Sequence, residues 1–256
     1  MSLLVSFLLV AVVMTGLWLW QIRSGRADWV DVFWAGSIGA LALLYAVLGD
    51  GAVEKRVLVA LVAGTWSLRL THHLAQRLSS HAEEDGRYQA MRTHWGDRAN
   101  LWLFVFFMGQ ALIAWLFALP AWVVANDPSG ALNIWVVLGV AFWFVSLAGE
   151  SVADRQLASF RSDPANKGQV CRVGLWRYSR HPNYFFEWLH WFSYPLMAMG
   201  APNQWIAWLG PVLMLLFLYR VTGIPYTEKQ SLKSRGEAYR DYQRTTSAFF
   251  PWPPKG

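Results

Sequence analysis

An all-α, polytopic integral membrane protein with about seven transmembrane helices is the fold class this sequence predicts, on three observations. Hydrophobic residues make up 55% of the 256 positions and charged residues only 15%, a balance too apolar for a soluble domain of this size. The apolar residues gather into runs of helix-spanning length, parted by turn signals or by charge. Most Lys and Arg residues stand beside alternate connections, as the positive-inside bias requires.

Taken in order, residues 3–20 form the first run. It has no basic segment before it and no small-residue cleavage site after it, so it reads as a retained span rather than a signal peptide. Arg23 and Arg26 follow. The second run, 29–48, ends at Gly49-Asp50-Gly51, and the third, 57–74, leads into a charged loop over 76–100. The fourth, 101–125, closes on Asn126-Asp127-Pro128-Ser129-Gly130, a turn signal. The fifth, 132–148, continues into a polar helical extension over 149–160. The sixth, 184–199, stops at Gly200-Ala201-Pro202-Asn203, and the seventh, 205–219, precedes a polar tail.

With the N-terminus outside, Arg23, Arg26, the 76–100 loop, the 155–180 region and the tail are all cytoplasmic, and only Lys55 and Arg56 fall on the other side. A multi-pass arrangement with a cytoplasmic C-terminus follows from that asymmetry. No repeat, low-complexity segment or linker divides residues 1–256, which read as one domain. The net charge of +6 belongs to the span flanks and does not indicate nucleic acid. A single cysteine, Cys171, excludes an internal disulfide and a cysteine-only metal site. His72 and His73 are adjacent and diverge on a helix, so no metal is expected.

Two clusters carry candidate chemistry. In ESVADRQLASFRSDPANKG, Glu150, Asp154 and Arg161 share one helix face, with Asn166 and Lys167 beyond. Carboxylates there suit ribose hydroxyls or an exocyclic amine, and Arg and Lys suit phosphates; pairing along a solvated helix is the plainer alternative. The stretch GLWRYSRHPNYFFE places Arg177, Arg180, His181, Asn183 and Glu187 between apolar runs, where polar groups are costly unless they serve a site. Arg161, Lys167, Arg172, Arg177 and Arg180 exceed what a diphosphate needs, and NADPH carries a third phosphate. No G-x-G-x-x-G occurs, so a Rossmann site is not indicated. Arg220 and Glu228 stand where they could close the polar site, Arg220 otherwise being an interfacial anchor. Tyr239 and Tyr242 are expected to point inward from a surface helix.

The second cluster is intramembrane. Asp31 stands one turn inside the second run with Trp34 a further turn along the same face, where desolvation favours a protonated carboxyl able to donate. Asp28 reads as a helix N-terminal carboxylate. Arg69 and His72 share a face of the third run. Glu83, Glu84, Asp85 and Arg87 read as a solvated loop, with Gly86-Arg87-Tyr88 placed to fold over a cofactor.

From residue 31 to residue 251 the chain resembles the bacterial branch of the steroid 5-alpha-reductase family, most specifically in ADRQLASFRSDPANKG (153–168) and GLWRYSRHPNYFFE (174–187). That resemblance implies a seven-helix reductase binding NADPH in a cytoplasm-facing cavity and reducing the double bond of an enone such as a 4-ene-3-ketosteroid. It implies cofactor contacts at Glu150, Asp154, Arg161, Asn183, Tyr184, Glu187 and Arg220, joined by Tyr178 and His181. Asn166, Lys167, Arg172, Arg180 and Tyr242 complete the expected cofactor set. The family's second-helix Gln-Glu pair is matched only by Val30-Asp31, making Asp31 the expected acid. The family's third-helix Tyr has no counterpart here, and Trp66 is nearest by spacing. Trp34 and Trp66 are accordingly expected to face the substrate.

The expectation is thus an NADPH-dependent reductase taking a lipophilic substrate sideways from lipid, with no obligate protein partner. Two alternatives stand beside it. One is a membrane methyltransferase of the isoprenylcysteine carboxyl type, which has a similar Arg-His-Pro-x-Tyr stretch. The other is a non-catalytic lipid-binding protein.

Overall fold

In the computed structural model, residues 2–80, 83–130, 133–221 and 223–255 are described, and every regular element among them is helical. Leu132, the expected start of the fifth run, and positions 81–82 of the charged loop lie outside the described residues. By contact the chain gathers into two compact units, Met1–Leu132 with Gly200–Leu209, and Asn133–Met199 with Gly210–Gly256. A single domain had been the reading from sequence.

The first unit contains α1 (Leu3–Ser24), α2 (Val30–Leu48), α3 (Val53–Ser79), α4 (Gly86–Trp95) and α5 (Ala99–Ala125). Helix α1 is capped by Ser2 and stopped by Gly25, whose φ of 71° a side chain would resist. The hub is α2, which packs on both α3 and α5. Gly39 of α2 faces Ser67 of α3 so closely that a Cβ would lie 2.2 Å from the Ser67 hydroxyl, which itself donates to the Ala35 carbonyl at 2.8 Å. Small residues let helices approach where lipid offers no hydrophobic drive between them.

Lys55 and Arg56, the two cations expected on the side opposite the rest, are both engaged within the fold. Lys55 forms a 2.9 Å ion pair with Asp127, each side chain only 1% exposed. Arg56 donates to the last carbonyls of α2, Ala46 and Val47, at 2.6 Å each. Their discord with the charge bias therefore has a local structural cause.

The second unit contains α6 (Ile134–Ser162), α7 (Pro182–His190), α8 (Ser193–Met197), most of α9 (Leu209–Leu216), a π turn (Phe217–Val221), α10 (Ile224–Arg235) and α11 (Glu237–Thr245). Long α6 carries the packing of α7 and α8. Gly149 sits under the Phe186 ring and Gly139 against Met197, positions where a Cβ would come within 2.4 Å and 2.6 Å of those side chains. An extended strap, residues 247–252, returns across the unit: Arg180 N–H donates to the Ser247 carbonyl at 2.9 Å, and Trp252 N–H to the Tyr178 carbonyl at 2.9 Å. Its fully buried Phe249 joins Phe185, Trp188 and Tyr219 in an aromatic cluster.

Among the described residues, five helical stretches are long and apolar enough to cross a membrane: Leu3–Ser24, Val30–Leu48, Gly86–Ala125, Ile134–Ser162 and Gln204–Arg235. The third run is a full helix, α3, but Arg69, His72, His73 and Arg77 make its second half polar. The sixth run is not one helix. Pro195 has no N–H for the Trp191 carbonyl and its ring crowds that group, so α7 ends and α8 starts afresh. The protein is all-α and its helix composition is that of a multi-pass membrane protein.

Candidate functional site

In the second unit, the polar residues of the 174–187 stretch meet α10 and α11 around Glu228. Arg180 is buried, and its Nε donates to Glu228 Oε1 at 2.7 Å while its Nη1 donates to the Gln243 carbonyl at 3.1 Å. His181 Nε2 lies 3.3 Å from the same oxygen, and Gln243 Nε2 donates to the other at 2.8 Å. His181 stacks on Tyr184, rings 5.3 Å apart and 8° from parallel, and Tyr184 shares a 3.2 Å hydrogen bond with Thr227. Burial pushes the His181 imidazole below its ordinary range, more than nearby Glu228 raises it. At neutral pH the ring is therefore uncharged, and its contact with Glu228 is a hydrogen bond rather than an ion pair.

Other expected residues brace this knot. Tyr242 is buried and donates to the carbonyls of Trp176 and Ser179. Arg172 bonds Asp241 at 2.8 Å and lies over the Tyr242 ring. Glu187 is buried and accepts from Trp191 Nε1 at 3.1 Å. Arg180, Glu187 and Tyr242 are thus buried and engaged within the fold, while Arg172 is exposed and paired at the surface. Tyr178 is 41% exposed, and Arg220 is exposed on the π turn.

What does face outward lies along α6. Asp154 accepts from Asn183 Nδ2 at 3.4 Å, joining the two stretches singled out in the sequence, and Glu150 lies one turn before it, half-buried. Beside them an open groove of 620 Å³ is lined by Arg155, Ser159, Phe160, Asp163, Asn166 and Val173, among others. Asn166 turns its amide onto the Phe160 carbonyl at 3.0 Å, fixing the groove's end. Arg161 and Lys167 are exposed. Arg235 of α10 is near Arg161. Arg155, Arg161 and Lys167 have no carboxylate partner among the described residues.

In the first unit, Asp31 is not the isolated carboxyl expected. It accepts from Arg87 Nη2 at 2.7 Å and from the Tyr88 hydroxyl at 2.8 Å. The charged loop supplies both donors because residues from Gly86 fold as α4, capped by Asp85. Asp28, fully buried, pairs with Arg26 at 3.0 Å and accepts from the Asp85 N–H at 3.0 Å, anchoring that helix. Tyr88 is the residue sequence reasoning passed over as a chemical group. Its only signal was a tyrosine next to an arginine inside an otherwise solvated segment. Trp34 packs edge-on against Phe117 at 5.5 Å, and Trp66 is buried. Trp34 Nε1 and Thr71 Oγ1 are buried without a hydrogen-bond partner among the described residues.

The family described as "Protein of unknown function (DUF1295)" matches residues 17–246, a stretch that contains Asp31, Tyr88, Asp154, Asn183, Arg180 and Glu228. An uncharacterized protein of the fission yeast Schizosaccharomyces pombe is 26% identical over 286 residues, covering 98% of this chain and 78% of that protein. No solved structure matches. With most of its length matched, from α1 to α11, the chain belongs to the DUF1295 family.

Proposed function

We propose that this protein is a membrane reductase that uses NADPH to saturate the carbon–carbon double bond of a lipophilic enone with a 3-oxo-4-ene-like skeleton. The observation that carries the reading is the cationic cluster around the α6 groove. Arg155 lines that groove beside Asp163, Arg161 follows on the same helix near Arg235 of α10, and among the described residues Arg155, Arg161 and Lys167 form no ion pair with a carboxylate. Like charges held together are relieved by an anion, and the adjoining Asp154–Asn183 pair offers an acceptor and an amide for the uncharged parts of a nucleotide. The groups present fit a phosphorylated dinucleotide. The likeness of residues 153–168 and 174–187 to steroid 5-alpha-reductases supports the same choice.

Bound NADPH would supply a hydride to the β-carbon of the enone. The electron pair then moves to the carbonyl oxygen, and a proton is needed to complete the saturated ketone. Within the first unit, taken by itself, the candidate source of a proton is Tyr88. Asp31 holds the hydroxyl in orientation, and Arg87, whose guanidinium lies 5.4 Å from the Tyr88 ring centre, offsets the phenolate left behind. Trp34 and Trp66 give an apolar wall, and the unpartnered Trp34 Nε1 and Thr71 Oγ1 are donors able to meet a ligand oxygen. The charge bias, freed of Lys55 and Arg56, puts the cofactor groups on the cytoplasmic side with the N-terminus outside.

One observation favours a second reading. Arg172 and Arg180 are already neutralised by Asp241 and Glu228, so fewer cations remain for phosphate, as an S-adenosylmethionine-dependent methyltransferase would prefer. Thermal stabilisation of the detergent-purified protein by NADPH, NADH and S-adenosylmethionine separates the two, because a ligand of the native state raises stability by mass action. The reductase reading expects a shift with NADPH that Arg161→Gln/Arg235→Gln removes. A shift with S-adenosylmethionine alone, untouched by that variant, overturns it.

A further inference from the structure

A second site lies in the first unit, on the face of α1 and α2. Val13, Gly16, Leu17, Trp20, Trp29 and Phe33 line a crevice of 450 Å³ that is almost wholly apolar. Its floor is Gly16, above which a Cβ would meet nothing within 4 Å, so the notch comes from the missing side chain rather than from loose packing. Trp20 and Trp29 pack edge-on at 6.3 Å and wall one end. Gly16, Trp20 and Arg23 recur at i, i+4 and i+7, so Arg23 stands on the crevice's own face one turn beyond the tryptophans. Arg23 is exposed and has no carboxylate partner among the described residues. The neighbouring charges are settled among themselves: Arg26 pairs with buried Asp28, and Glu84 with Arg92 at 3.0 Å.

We infer that this crevice binds one anionic phospholipid, an acyl chain lying over Gly16 between the tryptophans and the phosphodiester on Arg23. Both helices are long and apolar enough to cross a membrane, so lipid is what surrounds the crevice. An apolar slot ending in tryptophans and one uncompensated cation matches the sequence of groups along a phospholipid from tail to headgroup. Arg23 selects the charge; the notch at Gly16 fixes the chain. The site makes no use of the groups assigned to reduction.

Native mass spectrometry of the protein exchanged into detergent with equimolar phosphatidylglycerol and phosphatidylcholine tests this. The wild type is expected to retain one phosphatidylglycerol in preference to phosphatidylcholine. Arg23→Gln should lower that preference about fivefold, the equivalent of roughly one basic contact, Arg23→Lys should keep it, and Gly16→Trp should abolish retention by filling the notch. Because Gly16 is lipid-facing and open, the melting temperature of each variant should match wild type, which keeps lost lipid distinct from lost fold. Equal retention of both lipids, or an unchanged preference in Arg23→Gln, overturns the proposal. So does a dimer that occupies the crevice in place of lipid.

Discussion

Tyr88 donates its phenolic hydrogen to Asp31 at 2.8 Å, across 57 residues of chain, while Arg87 holds the other carboxylate oxygen at 2.7 Å. Two adjacent residues at the start of α4 thereby fix both oxygens of a single carboxylate on α2. In the proposed reductase it is Tyr88, the donor of this pair, that is assigned the acid role expected of Asp31.

If that assignment holds, Tyr88→Phe removes the proton and leaves the Asp31–Arg87 ion pair in place. Stability should fall by only about 1 kcal/mol, the ordinary net worth of one hydrogen bond, while reduction of a test enone falls by about a hundredfold or more. NADPH oxidation followed at 340 nm, about the reduced nicotinamide absorbance maximum, with the thermal shift by NADPH as control, reads both. Wild-type turnover in Tyr88→Phe would remove the acid role.

Glu228 neutralises buried Arg180 and also receives His181 and Gln243. Glu228→Ala strands that guanidinium, and a loss of about 3 kcal/mol is expected, as for other broken buried pairs. Glu228→Gln keeps an oxygen for Arg180 and should lose less. Thermal melts of the two variants in detergent give the ranking, and equal loss would contradict a hydrogen-bonding role for the retained oxygen and leave the lost charge as the whole cost.

His181 sets a pH dependence. Its folded-state proton affinity is lowered by burial, against the opposing pull of Glu228. The unfolded state therefore binds the proton more readily, so this contribution is complete above about pH 6.5 and is lost as pH falls below it. The slope approaches about 1.4 kcal/mol per pH unit once the unfolded-state histidine is protonated. Melting temperature measured from pH 8 to pH 5 should fall on the acid side, and His181→Gln should flatten that limb.

Gly149 tests the packing. A methyl there would strike the Phe186 ring at 2.4 Å, whereas Gly16, on a comparable span, has open space. Gly149→Ala should cost about 1–3 kcal/mol through overpacking, and Gly16→Ala almost nothing. A melt showing the reverse order would mean that α7 does not bear on α6 as described.

Much of this was legible from spacing. The apolar runs became helices, and Asp154 and Asn183, picked out in separate stretches, do meet. Hidden were relationships that only tertiary folding creates: Tyr88 with Asp31, and Arg180 with Glu228, partners separated by 57 and 48 residues. Periodicity reports which residues share a helix face, not which helix lies opposite. The break between α7 and α8 was visible as Pro195, yet the unbroken hydropathy across it masked the proline. The charged loop misled for a similar reason, since solvated composition and a helix that feeds its Arg87 and Tyr88 to a half-buried carboxylate look alike.

The strap and α11 impose an order of events on the making of this protein. Arg180 leaves the ribosome long before the groups that accept its guanidinium's hydrogen bonds, the most distant being the carbonyl of Thr246, 66 residues later. At about 5–20 residues per second, the guanidinium waits about 3 to 13 seconds at the membrane boundary as an unmatched charge. During that interval it remains in water or against lipid headgroups, which keeps the preceding segment from slipping into the bilayer until its partners emerge.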